Sequence, residues 1–428
     1  MFQARTRLQA ALIAALLAPL AAAGSVRVVA PSGAPYSTVQ SAVDAAVDGD
    51  VVLVKAGTYP GFTLAGRSVS VVADAGASVT IDGAIRVRNC VAPVLLAGLT
   101  AKGRESTVEA ERFGLAANNN SGALRVEHCT LRGADAFPAP YCNSRHGASV
   151  KACPNVAFVG CTLEGSLNYT DGREAGLHVE QSSIAVHDSA LRGGSSLCAL
   201  GYTGLPGGDG IDAVDSFVFA EHAECEGGPG GHASCMDGAR GGDGVSASGA
   251  TSSVVLLDCT TSAGSGGAGN SPYACPCTSC LHFDCTLCNN DGLAGQATSA
   301  LLGATVQVAS GIYRRLDGPN VVREAQPWTV TVYGQPGERA ALLLGHDPAF
   351  QWAPQWSGVQ LVAAPGLPRY LILGTLPGNG MLTTAIPLRA LPAGVQSDSL
   401  RAQAMFVDSS NVSRWGGVLD LVILDSAF

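Results

Sequence analysis

His128-Cys-Thr-Leu-Arg-Gly133 recurs in this chain with small changes. The copies are Gly98-Leu-Thr-Ala-Lys-Gly103, Gly160-Cys-Thr-Leu-Glu-Gly165, Asp188-Ser-Ala-Leu-Arg-Gly193, His222-Ala-Glu-Cys-Glu-Gly227 and a degenerate one from Asp258. Successive copies stand 28 to 36 residues apart. Ahead of each comes a Gly with alternating apolar residues, as in Gly176-Leu-His-Val, Gly210-Ile-Asp-Ala-Val and Gly244-Val-Ser-Ala. A second apolar run lies between, at Ile184-Ala-Val, Phe217-Val-Phe and Val254-Val-Leu-Leu. Period-two alternation in short pieces cut by Gly reads as strands. Repeats of about 20–50 residues mean solenoids, propellers or arrays. The repeat region has no Trp and few Asn-Gly hairpin turns, which argues against a propeller. No 3.6-residue period is visible, which argues against a helical solenoid. Parallel β coils remain, stacked at about 4.8 Å. Small side chains and Cys fill the narrow interior, and the unequal spacing places insertions in loops.

The entry to the repeats carries the expected plug. Ser37-Thr-Val-Gln40 reads as a capping box, with Ser37 as the cap and Gln40 reaching back. Val39, Ala42, Val43, Ala46 and Val47 follow at helical spacing, and Gly49 reads as the stop. A short amphipathic helix there covers the open edge of the first coil. The stretch Tyr36-Ser-Thr-Val-Gln-Ser-Ala-Val-Asp-Ala-Ala-Val-Asp-Gly-Asp50, then Val51-Val-Leu-Val and Gly57-Thr-Tyr59, resembles the opening of right-handed parallel β-helix proteins of the pectin-lyase-like superfamily. The resemblance covers roughly residues 30–300. It implies the fold and no single activity, since the superfamily holds pectate lyases, polygalacturonases, alginate-acting enzymes and exported proteins without a known reaction.

Composition and end segments complete the layout. The chain has 428 residues, a formal charge of −9, 54 Gly and only 6% aromatics. Bulk disorder is excluded by the apolar content, and collagen by the absence of a Gly-X-Y period. Nucleic acid is an unfavoured partner because there is no basic excess. Residues 1–23 read as a signal peptide: Arg5 and Arg7, the apolar run Leu8 to Leu20, then Ala21-Ala-Ala23. No later stretch is long enough to span a bilayer as a helix. Cleavage before Gly24 would take the charge to −11. The expected protein is a secreted, extracellular, surface or periplasmic monomer. Its fold class is all-β: a right-handed parallel β-helix over residues 24–300 with an N-terminal helical cap, then a small antiparallel β-sandwich. Residues 301–326 read as a linker or last coil. From 327 to 428 the composition shifts to all four Trp and to strands such as Trp328-Thr-Val-Thr-Val-Tyr333 and Leu419-Asp-Leu-Val-Ile-Leu424, separated by Pro and Gly turns.

Asp209, Asp212 and Asp243 are the candidate catalytic carboxylates. Gly207-Gly-Asp-Gly-Ile-Asp-Ala-Val-Asp215 also fits one calcium nonapeptide, but those sites need tandem copies. Its relative Gly241-Gly-Asp-Gly-Val-Ser-Ala lies 34 residues on. A looser Ca²⁺ site from Asp209, Asp212 and Asp243 on adjacent coils is chemically sensible, and calcium is the one cofactor considered. The simpler reading is a solvated Gly-Asp turn opening each coil. The segment faintly resembles the paired-Asp region of polygalacturonases, whose carboxylates act as acid and base. Gly231-His232-Ala233 is an imperfect relative of that family's Gly-His-Gly, and its Arg-Ile-Lys is absent. Arg145, Lys151, Arg173 and Arg240 are the bases a lyase could draw on. His128 and His222 share one repeat position, and His146, His178, His187 and His232 also fall in the coils; a stacked pair could bind metal, though facing water or capping a turn is commoner.

All fourteen cysteines lie between Cys90 and Cys288, which in an exported chain favours disulfides. The candidates are Cys142 with Cys153, Cys225 with Cys235, and the cluster Cys275, Cys277, Cys280, Cys285 and Cys288. Cys129 and Cys161, one repeat apart, read equally as a bridge or as buried free thiols. Trp352-Ala-Pro-Gln-Trp356 reads as sandwich core before it reads as a sugar platform. The favoured function is non-catalytic glycan binding at the cell surface. The alternatives are a polysaccharide lyase or hydrolase acting on polyuronates, and a structural envelope spacer.

Overall fold

The computed structural model describes residues 24–134, 145–166, 174–196, 205–232, 238–268, 291–363 and 369–428. Its first part is a parallel β-helix whose coils carry three short strands each. One face is a ten-stranded parallel sheet from Val26–Val29 to Thr305–Ala309. A fourteen-stranded sheet supplies the other two faces, joined by the long strand Val79–Arg88. Val79–Asp82 of that strand pairs with Leu99–Lys102, and Ile85–Arg88 pairs with Leu115–Asn118. The second face then runs through Thr130–Arg132, Thr162–Glu164, Ala190–Arg192, Glu224–Glu226 and Thr260–Ser262. The third runs through Ala148–Lys151, Leu177–Glu180, Ile211–Val214, Val245–Ser248 and Thr298–Leu301.

Alternation explains the core. Inward positions form columns such as Val126, Phe158, Val186, Ala220 and Leu256, all at most 1% exposed. They belong to one continuous cluster from Val29 to Leu256. Each coil turns two corners through left-handed backbone. Asn89, Asn119, Ala152, Gln181 and Asp215 (φ 46 to 55°) turn the chain from the third face to the first. Gly98, His128, Gly160, Asp188, His222 and Asp258 (φ 50 to 71°) turn it from the first to the second. The shared position of His128 and His222 is therefore a backbone corner.

The residue after each corner points inward and bonds along the stack. Asn120 Oδ1 accepts from the Cys90 amide, Ser182 Oγ from Cys153, Ser216 Oγ from Ser182 and Ser252 Oγ from Ser216, at 2.9 to 3.2 Å. Cys90, Cys129, Cys153, Cys161 and Cys259 occupy these same slots, while Cys225 lies on the strand Glu224–Glu226 in register with Leu191. Cys90, Cys129, Cys153, Cys161 and Cys225 are free and buried, and Cys259 is free and half-buried. Cys153 and Cys225 are bridged to no described cysteine. The side chains of both fill the coil interior. Cys129 and Cys161 take the free-thiol alternative. Cys142, Cys235, Cys275, Cys277, Cys280, Cys285 and Cys288 lie outside the described residues.

Helix α1, Val39–Ala45, closes the open end. Its cap is Thr38, one residue later than expected, and Thr38 Oγ1 accepts from the Ser41 amide. Gln40 does not reach back. It accepts from the Thr63 amide at 2.8 Å and so ties the cap to the third face, where Thr63 pairs with Arg86. The helix stops before Val47, which is 63% exposed.

Thr305–Ala309 ends the first face, and Arg315–Asp317 already pairs with the sandwich strand Pro327–Tyr333. The sandwich stacks a three-stranded sheet on a five-stranded one. Trp328, Leu342, Phe406, Leu419 and Leu421 lie in its core. It does not trail from the solenoid but packs along the first face. Ala157, Ala185, Phe219 and Val255 meet Leu343, Leu361, Trp415 and Val418. Nearer the cap, Leu53, Val72 and Leu95 meet Val422 and Leu424. Among the described residues no helix is long and apolar enough to cross a membrane.

Candidate functional site

The segments linking the second face to the third carry Gly-Gly pairs at both ends in the later coils, and they hold Asp209 and Asp243, while Asp212 lies on the strand that follows. Gly194 donates to Glu174 O, Gly208 to Gly194 O, Gly228 to Gly208 O, Gly242 to Gly228 O and Gly264 to Gly242 O, at 2.6 to 2.9 Å. Outgoing and returning segments thus bond to each other as well as to their own kind on the next coil: Gly207 also donates to Arg240 O, and Gly241 to Leu293 O. The backbones approach so closely that a Cβ on Gly228 would sit 2.0 Å from Gly194 O, and one on Gly242 1.9 Å from Gly208 O. Only glycine fits.

At the exit of this block the aspartates act as ladder acceptors. Asp209 Oδ1 accepts from the Asp243 amide at 2.6 Å. Asp243 Oδ1 accepts from the Gln296 amide at 2.6 Å and from Arg240, while Oδ2 accepts from Ser299 at 2.5 Å. Asp243 is 4% exposed, so the expected solvated turn is a buried one. Asp212 is held apart from these two, with Oδ2 2.8 Å from His178 Nδ1. Among the described residues no three His, Cys, Asp or Glu side chains converge to hold a metal. The donor set thus does not gather into a Ca²⁺ cage.

Around His178 the rings are ordered. His146 stacks on it with centroids 4.8 Å apart and planes within 13°, and Phe113 stacks on His146 at 5.4 Å. His146 Nδ1 accepts from the Ala175 amide at 2.9 Å. Burial, with His178 adding to it, pushes His146 down to about 3, so it stays neutral. Arg145 beside it is buried and gives Nη2 to Glu105 at 2.9 Å, while Nε and Nη1 have no partner. Lys151 pairs with Glu180 and Arg240 with Asp243. Arg173 lies outside the described residues. His187 lies 3.2 Å from Glu221 under the sandwich, and His222 pairs with Asp188. His232 accepts from the Ala268 amide at 2.8 Å.

The second face stays open to solvent and carries two outward rows. One is Thr58, Thr80, Thr100, Thr130 and Thr162, in register across five strands. The other is Asp82, Lys102, Arg132, Glu164, Arg192 and Glu226. Arg192 lies within 3.1 to 3.6 Å of Glu164, Glu224 and Glu226. Reasoning from the sequence missed the threonine row, although the recurring Thr of the repeated phrase is its visible sign. Trp352 is not a sugar platform: it packs 5.2 Å from Phe219 and 5.8 Å from Phe217. Trp356 stands edge-on to Trp415.

No protein-family model and no curated protein matches the chain. Among solved structures it is similar to full-length tailspike protein 2 of the Escherichia coli O157:H7 bacteriophage CAB120. That match has 9% identity and a TM-score of 0.20, and covers 96% of this chain and 69% of that one. It is also similar to the enzymatically active domain of tailspike protein 4 of bacteriophage CBA120. There the identity is 10% and the TM-score 0.16, over 88% of this chain and 64% of that one. Likeness this low bears on neither the site nor the activity.

Proposed function

We propose that the protein is an exported glycan-binding β-helix protein of the pectin-lyase-like kind, and that it holds an extended sugar chain along its second face. The threonine row carries this reading. Hydroxyls repeat there at the coil spacing of about 4.8 Å, comparable to the rise of a pyranose unit in an extended chain. The parallel row of carboxylates and guanidinium groups supplies planar, two-pronged partners for neighbouring sugar hydroxyls. The net charge of −9 favours a neutral glycan over a polyuronate. A lyase or hydrolase acting through Asp209 and Asp243 is disfavoured, because both oxygens of Asp243 are spent on bonds that hold the coils.

The test is affinity for a panel of neutral and uronate glycans, with and without EDTA, by calorimetry. A Thr100→Val/Thr130→Val variant keeps the shape and removes two hydroxyls. We expect unchanged Tm and affinity reduced by roughly thirtyfold, since each of the two lost hydrogen bonds is worth about 1 kcal/mol. Equal affinity in the variant, or no binding by folded protein to any glycan, removes this reading and leaves the spacer.

A further inference from the structure

Three outward side chains on successive strands of the third face form a row in the order hydroxyl, imidazole, carboxylate. Ser149 is the register partner of His178, and His178 is the partner of Asp212. Adjacent strands stand about 4.8 Å apart. Their inward neighbours Ala148, Val150, Leu177, Val179, Ile211 and Ala213 are fully buried, which fixes these three on the outside. We propose that Ser149, His178 and Asp212 are the nucleophile, base and orienting acid of an acyl-ester hydrolase.

Each role has its observation. Asp212 takes the Nδ1 edge of His178 at 2.8 Å, which sets the ring orientation. Ser149 sits on the preceding coil, on the side of His178 away from Asp212. The stacked His146 holds the plane of the His178 ring. Ser149 is half-buried, and among the described residues its hydroxyl has no hydrogen-bond partner. Arg145, four residues earlier in the chain, keeps two buried N–H groups without a hydrogen-bond partner.

The arrangement is not simply a habit of this solenoid. His–carboxylate pairs recur at His187–Glu221 and His222–Asp188. The register partner of His187 on the preceding coil is Val159, and His222 sits at a backbone corner. Among the described residues only His178 combines its carboxylate with a hydroxyl on the neighbouring coil opposite. A triad is recognised by such roles, whatever the fold and chain order.

The reaction balances without a cofactor. Ser149 Oγ bonds to the ester carbonyl carbon and its proton passes to His178 Nε2. The ester C–O bond breaks, and the departing alcohol takes that proton. Water then attacks the acyl-serine and gives a proton to His178, which returns it to Ser149 Oγ. The sum is ester plus water to carboxylic acid plus alcohol. An outward row on a sheet surface suits a short acyl group on a large alcohol. That the alcohol is a sugar hydroxyl rests on the glycan reading above; the hydrolase chemistry does not.

The experiment uses the full chain with a fluorophosphonate probe, p-nitrophenyl acetate and an O-acetylated xylan. We expect the probe to label Ser149, located by peptide mass spectrometry. We expect Ser149→Ala and His178→Ala to lower kcat/KM on p-nitrophenyl acetate by roughly 10³-fold or more, with Tm unchanged. Asp212→Asn should lower kcat with KM nearly constant. Absence of labelling in folded protein, or equal turnover by Ser149→Ala, overturns the triad. Turnover of p-nitrophenyl acetate without acetate release from xylan keeps the triad and counts against the sugar substrate.

Discussion

Cys129 and Cys161 show how far burial sets chemistry in this molecule. Both thiols face the coil interior and donate to backbone carbonyls, Cys129 to Leu96 and Glu127, and Cys161 to Val126 and Val159. Burial pushes Cys129 up to about 12 and raises Cys161 well above the ordinary thiol value. A thiol without its anion is a poor nucleophile. We therefore expect iodoacetamide near pH 8 to leave Cys129, Cys153, Cys161 and Cys225 unmodified in the native protein and to alkylate them after denaturation. Mass spectrometry of the peptides decides; native alkylation at any of the four would contradict their placement. Packing at this scale is equally tight: Phe158 is fully buried, and Phe158→Ala should cost about 3–5 kcal/mol in urea unfolding.

Elements here are held by what they lack as much as by what they contain. A strand in a pleated sheet has neighbours on two sides. The glycine segments bond to returning segments of their own coil and to matching segments of adjacent coils. That close approach leaves no room for a methyl group. We expect Gly228→Ala to destabilise by at least about 1–3 kcal/mol, the usual cost of overpacking, because the obstacle is backbone and cannot swing aside. Gly378→Ala is the control, since nothing lies within 4 Å of its added Cβ. Equal Tm values for the two variants would refute the packing. The cap is a second such element. Thr38→Ala should cost about 1 kcal/mol, through the lost bond to the Ser41 amide.

At the scale of the molecule the sandwich and the solenoid form one body. Their shared surface is apolar at Phe219, Leu361 and Trp415 and polar around Glu127. Glu127 accepts from the Asp420 amide and from Asn320, while Arg125 donates to Ala349 O at 3.1 Å. All four Trp belong to the sandwich part. Unfolding followed by Trp fluorescence should thus coincide with unfolding followed by far-UV circular dichroism, which the coils dominate. An early fluorescence transition would mean that the two parts are independent. The same surface gives a pH dependence. Burial, then the Asp420 charge, raises the Glu127 carboxyl well above its ordinary value, and burial raises Glu221 against the smaller pull of His187. The folded chain keeps these protons where the unfolded chain has released them. Stability from these groups is therefore present at low pH and is lost as pH rises through and above the ordinary carboxylate range. We expect Tm to fall as pH rises above the ordinary carboxylate range, and Glu127→Gln with Glu221→Gln to flatten the fall.

The strands and coils were written in local pattern. Leu131 and Leu163 point inward because neighbours alternate, and Gly98 and Gly160 mark corners because glycine enters left-handed backbone at little cost. Those signals act over a few residues, so the chain displays them openly. The same holds for the cap helix, misplaced by one residue between Ser37 and Thr38. The fates of Asp209, Asp212 and Asp243 were not legible, because each depends on a residue one coil away: the Asp243 amide, His178 and the Gln296 amide. The row Ser149, His178, Asp212 has members 29 and 34 residues apart, and unequal coil lengths hide the register until the coils stack. Cysteine count in an exported-looking chain pointed to bridges, but side-chain direction placed Cys153 and Cys225 inside. The sequence by itself determined the strand, the coil and the corner, which are nearest-neighbour properties of the backbone. The tertiary structure alone decided which side chains meet across coils and which face the sandwich covers, because those contacts depend on the full length of every loop between them.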